Sequence, residues 1–298
     1  MTPTVLPSRA AGIAAALFAA LVWAGWIPIT RLGVTGQLRP VDVTVLRYGT
    51  AAVLMLPVLW WQRRHLPWSK PGWLLVVAAG AGAPYFLLFS AGMRLANSGQ
   101  AAVFGPGASS VCTIILAKLW LGERIGPARL AGIACTVGGF VWVMGHDLLG
   151  GGTRLTGFAL ILAAAAAWSV FTIASRHLRL APVLTVAFVA VTNAICLIPW
   201  YLGTSGIDRL RQAGATSVLL QAGYQGIMTG TIAMISFAYA VRELGASGAA
   251  VFTPLTPVLA TVIGWWLLGD TVDIGTAGGL LAVAFGVLIG NRQAIRVA

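Results

Sequence analysis

Three glutamines and an asparagine, Gln100, Gln221, Gln225 and Asn193, stand inside long apolar stretches of the chain. A polar side chain placed away from water is costly, so such residues are functional candidates by default. Gln225, beside Tyr224 and flanked by Gly223 and Gly226, is where the amino or carboxylate group of a small molecule would be read, and Gln100 is a second such candidate. Asn193 reads as helix-to-helix glue. Trp23 and Trp168 offer flat apolar faces suited to an aromatic or aliphatic group, with lipid contact or helix packing as the competing reading. Tyr85, Phe104, Tyr224, Phe252 and Tyr239 are further members of that set. Catalytic machinery is missing. His65, His146 and His177 are expected in the connections between apolar stretches, unclustered, and Cys112, Cys135 and Cys196 show no C-x-x-C spacing. Without a nucleophile, an acid–base pair or a metal cluster an enzyme lacks its parts, and no cofactor or metal is expected.

Composition dictates the elements that must hold these side chains. Of 298 residues, 58% are hydrophobic and 9% charged, and the mean hydropathy is +0.89. Soluble chains run about 25% charged, so a soluble enzyme, a disordered tail and a secreted disulfide scaffold are excluded. Ten apolar runs lie near 11–32, 41–61, 72–93, 98–121, 127–145, 155–176, 182–202, 216–241, 247–268 and 274–290. Each approaches the roughly 20 residues that a bilayer crossing needs, so an all-α polytopic membrane protein is expected. The first run continues past signal-peptide length to Arg31 and reads as a retained span. Eight tryptophans, among them Trp60, Trp61, Trp265 and Trp266, fall at run ends and suit the membrane interface.

The net charge of +12 is spread between the runs, which argues for orientation in a bilayer and against nucleic acid. With the N-terminus in the cytoplasm, twelve Lys and Arg lie inside and seven outside, while five of the seven acids lie outside. Both termini are therefore expected in the cytoplasm.

A repeat divides the chain. The first run aligns with the sixth at an offset of 145, pairing Trp23 with Trp168 and Arg31 with Arg176. Ala101-Ala102-Val103-Phe104 before Pro106 matches Ala249-Ala250-Val251-Phe252 before Pro254, and Leu121-Gly122-Glu123 meets Leu268-Gly269-Asp270. Two units follow, 1–148 and 149–298, of five spans each. Five is odd, so the second must cross in the opposite sense. The basic connection after the fourth run and the acidic one after the ninth agree with that. Pro106, Pro254 and Pro257 near mid-span, with Pro28 and Pro84, are expected to kink helices and shape a cavity, since paired Gly/Pro interruptions in two halves point to a binding site. Plain kinking for packing is the alternative. Gly132, Gly138 and Gly139 in the fifth run and Gly275, Gly278, Gly279 and Gly286 in the tenth suit either packing of the halves or a homodimer face. Arg47, near the start of the second run, is expected to reach outward or to pair with Asp42.

Taken in order, these features resemble the EamA family of the drug/metabolite transporter superfamily over essentially the whole chain. The resemblance rests on the late Trp23 and Trp168, on Leu46-Arg47-Tyr48 opening the second run, on the prolines of the fourth and ninth runs, and on Gly122-Glu123 with its counterpart. Departures are Trp23-Ala24-Gly25-Trp26, Gly269-Asp270 in place of Gly-Glu, and the broken Gly105-Pro106-Gly107. The resemblance implies ten helices in two inverted repeats, with the first, third, fourth, sixth, eighth and ninth around a central cavity. It also implies a multi-pass protein of the bacterial inner membrane that exports or equilibrates small amphipathic metabolites, amino acids including aromatic ones, by alternating access. Export of cationic drugs or another metabolite class is the alternative, ahead of a membrane-embedded enzyme or a non-transporting subunit. No Asp or Glu lies mid-run, so exchange or facilitated diffusion is favoured over proton coupling. The expected partners are a small-molecule substrate and the lipid bilayer.

Overall fold

The computed structural model describes residues 9–122, 125–149, 155–204, 206–250, 252 and 255–296. Among these residues every regular element is helical. Helices α1 (Arg9–Thr35) and α2 (Pro40–Gln62) are single spans. The third span is split into α3 (Pro71–Gly80) and α4 (Ala83–Met93). Helices α5 (Ser98–Leu121), α6 (Pro127–Leu149), α7 (Leu155–Leu178) and α8 (Pro182–Gly203) follow. A short amphipathic α9 (Gly206–Ala213) leads into α10 (Ala215–Gln221), a π-helical stretch (Ala222–Ile232) and α11 (Ala233–Ala250), which together form the eighth span. Helices α12 (Leu255–Leu268) and α13 (Ile274–Arg296) complete the chain. Eight of these stretches are long and apolar enough to cross a bilayer, and α12 and the apolar part of α13 are shorter.

Local chemistry sets the ends. Pro40 opens α2 where its missing N–H costs nothing, and Asp42 accepts from the Arg39 backbone N–H at 2.7 Å. Asn97 and Gln100 form a reciprocal capping box at the start of α5. Gly122 and Gly269, equivalent in the repeat, stop α5 and α12 with φ of 67° and 66°, a left-handed turn that glycine makes without strain. The ninth run begins later than its hydrophobicity suggests. Residues 247–250 stay helical with α11, since Glu243–Ala250 holds no proline and its alanines offset Gly245 and Gly248, and α12 starts at Leu255. Pro257 consequently sits in a first turn, where proline is tolerated, rather than mid-span. Pro254 lies outside the described residues. Pro28 and Pro106 lie inside α1 and α5, which run on through them.

The interruption falls instead at Ala81–Gly82. Gly82 is the N-cap of α4 and Pro84 sits in its first turn. Asn193 of α8 bridges the gap. Its Oδ1 accepts from the Ala83 N–H at 2.7 Å, and its Nδ2 donates to the carbonyls of Ala78 at 2.9 Å and Val189 at 2.8 Å. The Tyr48 hydroxyl donates to the Ala81 carbonyl at 2.7 Å. At the corresponding place in the second half the helix widens into the π stretch, where Thr229 donates to the carbonyls of Tyr224 and Gln225. Irregular backbone in a membrane is tolerated only where neighbours satisfy it, and these side chains do so.

Packing is between the halves. Helix α2 packs on α8 and α6 on α13, each a repeat-related pair. Helix α1 packs on α11 and α12, and α7 packs on α3, α4 and α5, which is the same arrangement with the halves exchanged. With five crossings per half, this exchange is an inverted repeat. The α6–α13 seam uses the small residues: a Cβ on Gly132 would meet the Gly286 carbonyl, and one on Gly139 would meet Ala282. Gly132, Gly139, Gly279 and Gly286 therefore serve packing of the two halves, while a Cβ on Gly138 would meet nothing within 4 Å.

Candidate functional site

Where the halves meet, Arg47 of α2 points into the protein. Asp42 is not its partner. Five residues along a helix is a turn of about 140°, and Asp42 instead pairs with Arg39 at 3.0 Å and accepts from the Tyr201 hydroxyl at 2.8 Å. The half-buried Arg47 donates from Nη1 to Gln225 Oε1 at 3.0 Å. Its guanidinium carbon lies 4.9 Å from the ring centre of Phe86, 5.6 Å from that of Trp26 and 5.9 Å from that of Tyr48. No described carboxylate forms an ion pair with it. An arginine within a span costs about 3 kcal/mol, and each desolvated cation–π contact returns about 0.5–2 kcal/mol. Three rings can hold the charge without an acid.

Gln225 is completely buried. Its Nε2 donates to Thr30 Oγ1 at 2.9 Å and to Gln221 Oε1 at 3.2 Å, and Gln221 in turn donates to the Ile29 carbonyl at 2.7 Å. The π stretch is thereby tied to α1 on one side and to Arg47 on the other. Close approach requires glycine here: a Cβ on Gly226 would stand 2.5 Å from Thr50 Cβ, and a Cβ on Gly25 would overlap the Tyr224 hydroxyl.

From Arg47 an aromatic ribbon runs across the halves. Trp26 stacks on Phe89 at 4.7 Å, Phe89 meets Tyr85 at 6.1 Å, Tyr85 meets Trp168 at 5.2 Å, and Trp168 meets Phe171 at 5.0 Å. The Trp26 indole N–H is buried with no hydrogen-bond partner. Tyr85, Trp168 and Gln225 are thus gathered around one region.

Other sequence candidates lie elsewhere. Trp23 packs on Phe237 of α11 at 5.1 Å, outside the ribbon. The Tyr224 hydroxyl donates to the Val22 carbonyl at 3.0 Å. Phe104 is fully buried, stacked on Phe158 at 4.5 Å and Phe140 at 5.1 Å. Gln100 lies in the first turn of α5, bonded to Asn97 and 3.5 Å from Asp147. Phe252 packs near Ala16, Ala240 and Ala249. His146 and His177 lie in the last turns of α6 and α7, not in connections, because both helices run further than the apolar pattern. Among the described residues no group of His, Cys, Asp or Glu could hold a metal.

The place of Arg47 and Trp26 at the junction of the halves is not legible in the sequence. Arg47 carries a signal, the one basic residue of α2, seven residues into the span, though Asp42 nearby offers it a ready partner in the sequence. Trp26 carried none, since a second tryptophan three residues after Trp23 fits either face.

At the end of the protein where α1 finishes, Arg31 forms an ion pair with Asp270 beyond α12 and donates from Nε to the Ala96 carbonyl at 3.0 Å. Asp270 also accepts from the Ser98 backbone N–H at 2.9 Å. The pair ties α1, the α4–α5 connection and α12 together.

The chain matches the EamA-like transporter family over residues 10–145 and 155–292 and belongs to it. It is a non-enzymatic, multi-pass membrane transporter with a small-molecule substrate. A relative in Streptantibioticus cattleyicolor, described as a probable terminal-alkyne amino-acid exporter, is 26% identical over 92% of this chain and 91% of that one. The inner membrane transporter YedA of Escherichia coli, itself uncharacterized, is 25% identical over 87% of this chain and 83% of its own. A solved crystal structure matches 97% of this chain and 99% of that one with a TM-score of 0.61 at 19% identity, a likeness of fold alone.

Proposed function

We propose that the protein moves small amphipathic metabolites, amino acids including aromatic ones, across the bacterial inner membrane by alternating access. The observation that carries this reading is the ribbon Trp26–Phe89–Tyr85–Trp168 ending at the Arg47–Gln225 node. It offers an apolar wall for a side chain and a polar end for its head group. The relative described as an amino-acid exporter supports the same class. A cationic drug is disfavoured by the guanidinium at the head of the ribbon. The bias of Lys and Arg supports cytoplasmic termini, and the description of YedA supports the inner membrane. With no carboxylate in the node, exchange or facilitated diffusion is the favoured mode. The units 1–148 and 149–298 rock against each other, with Pro28, Pro84, Pro106, Pro254 and Pro257 as cavity-shaping positions. Counterflow in proteoliposomes loaded in turn with aromatic amino acids, nucleotide sugars and cationic drugs tests this. Exchange of an aromatic amino acid is expected, and exchange of cationic drugs alone refutes the reading.

A further inference from the structure

We propose that Arg47 and the Trp26 indole N–H form a receptor for a single carboxylate, with Gln225 as the residue that positions the guanidinium. The inference rests on the amino-acid reading above and sharpens it: recognition begins with the carboxylate, and the amino group is dispensable for it.

Three observations converge on this. First, Arg47 carries its charge unneutralised among the described residues. Gln225 accepts from one of its five N–H groups, the rings of Phe86, Trp26 and Tyr48 lie against it, and the Tyr48 hydroxyl is within its reach. A guanidinium in this state is a preorganised planar fork, matched to two coplanar oxygens. Second, the Trp26 N–H is a buried donor that nothing accepts, on the very ring that Arg47 lies over. Buried donors are nearly always paired, so an orphan beside an unpaired cation asks for an acceptor. Third, the repeat does not reproduce the charge. Helix α8, the counterpart of α2, holds no Lys or Arg anywhere from Pro182 to Gly203. A cation needed only to build a five-helix unit would be expected in both copies.

The chemistry selects among anions. A phosphate or nucleotide would call for further cations at the node. The nearest in sequence, Arg39, is engaged by Asp42. One fork and one indole donor match one carboxylate. The ribbon that leads away from Trp26 then receives an apolar or aromatic remainder.

Both Nε2 protons of Gln225 are engaged, by Thr30 and Gln221, and its Oε1 accepts from Arg47, which leaves it no donor to offer a carboxylate. Its task is to aim Arg47. Gln225→Glu would put a carboxylate where the amide oxygen now accepts, and so fill the receptor from within.

The test is phenylglyoxal modification of the full-length protein in proteoliposomes, with labelling of Arg47 read by peptide mass spectrometry. Three probes are compared: phenylalanine, 3-phenylpropionate and phenylalaninamide. The first two share the carboxylate, and the third keeps the ring and amine without it. Protection of Arg47 by phenylalanine and 3-phenylpropionate, with at least about tenfold weaker protection by the amide, is expected for a charge-assisted site. Gln225→Glu should abolish the protection, and Arg47→Lys, which keeps the charge but loses the fork, should raise the half-saturation for phenylalanine in counterflow roughly ten- to hundredfold. Equal protection by the amide, absence of protection, or an Arg47 that never reacts would each overturn the proposal, since a guanidinium closed to the reagent is closed to a carboxylate. Parallel counterflow separates the two levels. Phenylalanine exchange without protection sinks the receptor and spares the transport reading. Protection without exchange of any amino acid does the reverse.

Discussion

At the residue scale, position within a helix turn decides what a side chain can do. Trp23 and Trp168 are repeat-related, yet only Trp168 joins the ribbon through Tyr85, while Trp23 rests on Phe237. Trp168→Ala is therefore expected to lower counterflow of aromatic substrates at least fivefold to tenfold, by loss of a stacking wall of about 1 kcal/mol or more. Trp23→Ala should lower it less, and equal losses in the two variants would count against the ribbon. Asn193 illustrates the opposite case, a polar residue whose work is structural. Asn193→Ala strips partners from the Ala83 N–H and the Ala78 carbonyl. Each orphaned buried group costs about 1–3 kcal/mol. A fall in thermal unfolding temperature in detergent, with Asn193→Asp rescuing only the Ala83 contact, is the expected outcome.

At the scale of elements, the two halves depart from regular helix at matching places by different chemistry. Gly80, Gly82 and Pro84 break the third span outright, whereas Gly223, Gly226 and Gly230 let the eighth widen without breaking. The widened stretch lies against α2 so closely that a methyl group on Gly226 meets Thr50. Gly226→Ala should cost about 1–3 kcal/mol through overpacking and shift Arg47 relative to Gln225. Gly138→Ala, mid-helix with nothing within 4 Å of its added carbon, is the matched control and should be neutral or stabilising by up to about 1 kcal/mol. Denaturant titration of the pair checks both values. A Gly226→Ala protein as stable as the control would mean that α2 and the π stretch have room to separate.

For the whole molecule, the exchange of halves means that closure at one end has a counterpart at the other. The Arg31–Asp270 pair fastens the end where α1 finishes, and it involves α1 and α12, helices from different halves. Under alternating access, an ion pair across the halves is a contact that must open. Asp270→Asn keeps the side-chain size but removes the charge and one of the two accepting oxygens. A thiol introduced by Ser98→Cys, at a fully buried position beside Asp270, should be unreactive to a membrane-impermeant maleimide in the parent and reactive once Asp270→Asn is added. Unchanged protection would show that this end does not open by parting α1 from α12.

Much of this architecture is written along the chain. Run length and hydropathy fix membrane spans, Trp23 with Trp168 and Gly122 with Gly269 reveal the duplication, and odd helix number fixes inversion. These are one-dimensional properties, legible because the lipid imposes length and composition on each helix separately. The break at Ala81–Gly82, the helix carried through to Ala250, and the distinction between Trp23 and Trp26 needed the folded molecule. So did the turning of Arg47 away from Asp42 toward Gln225, a residue 178 positions distant. Helix rotation about its own axis is set by packing against partners from the other half, and a uniformly apolar helix carries almost no periodic signal of which face will turn inward.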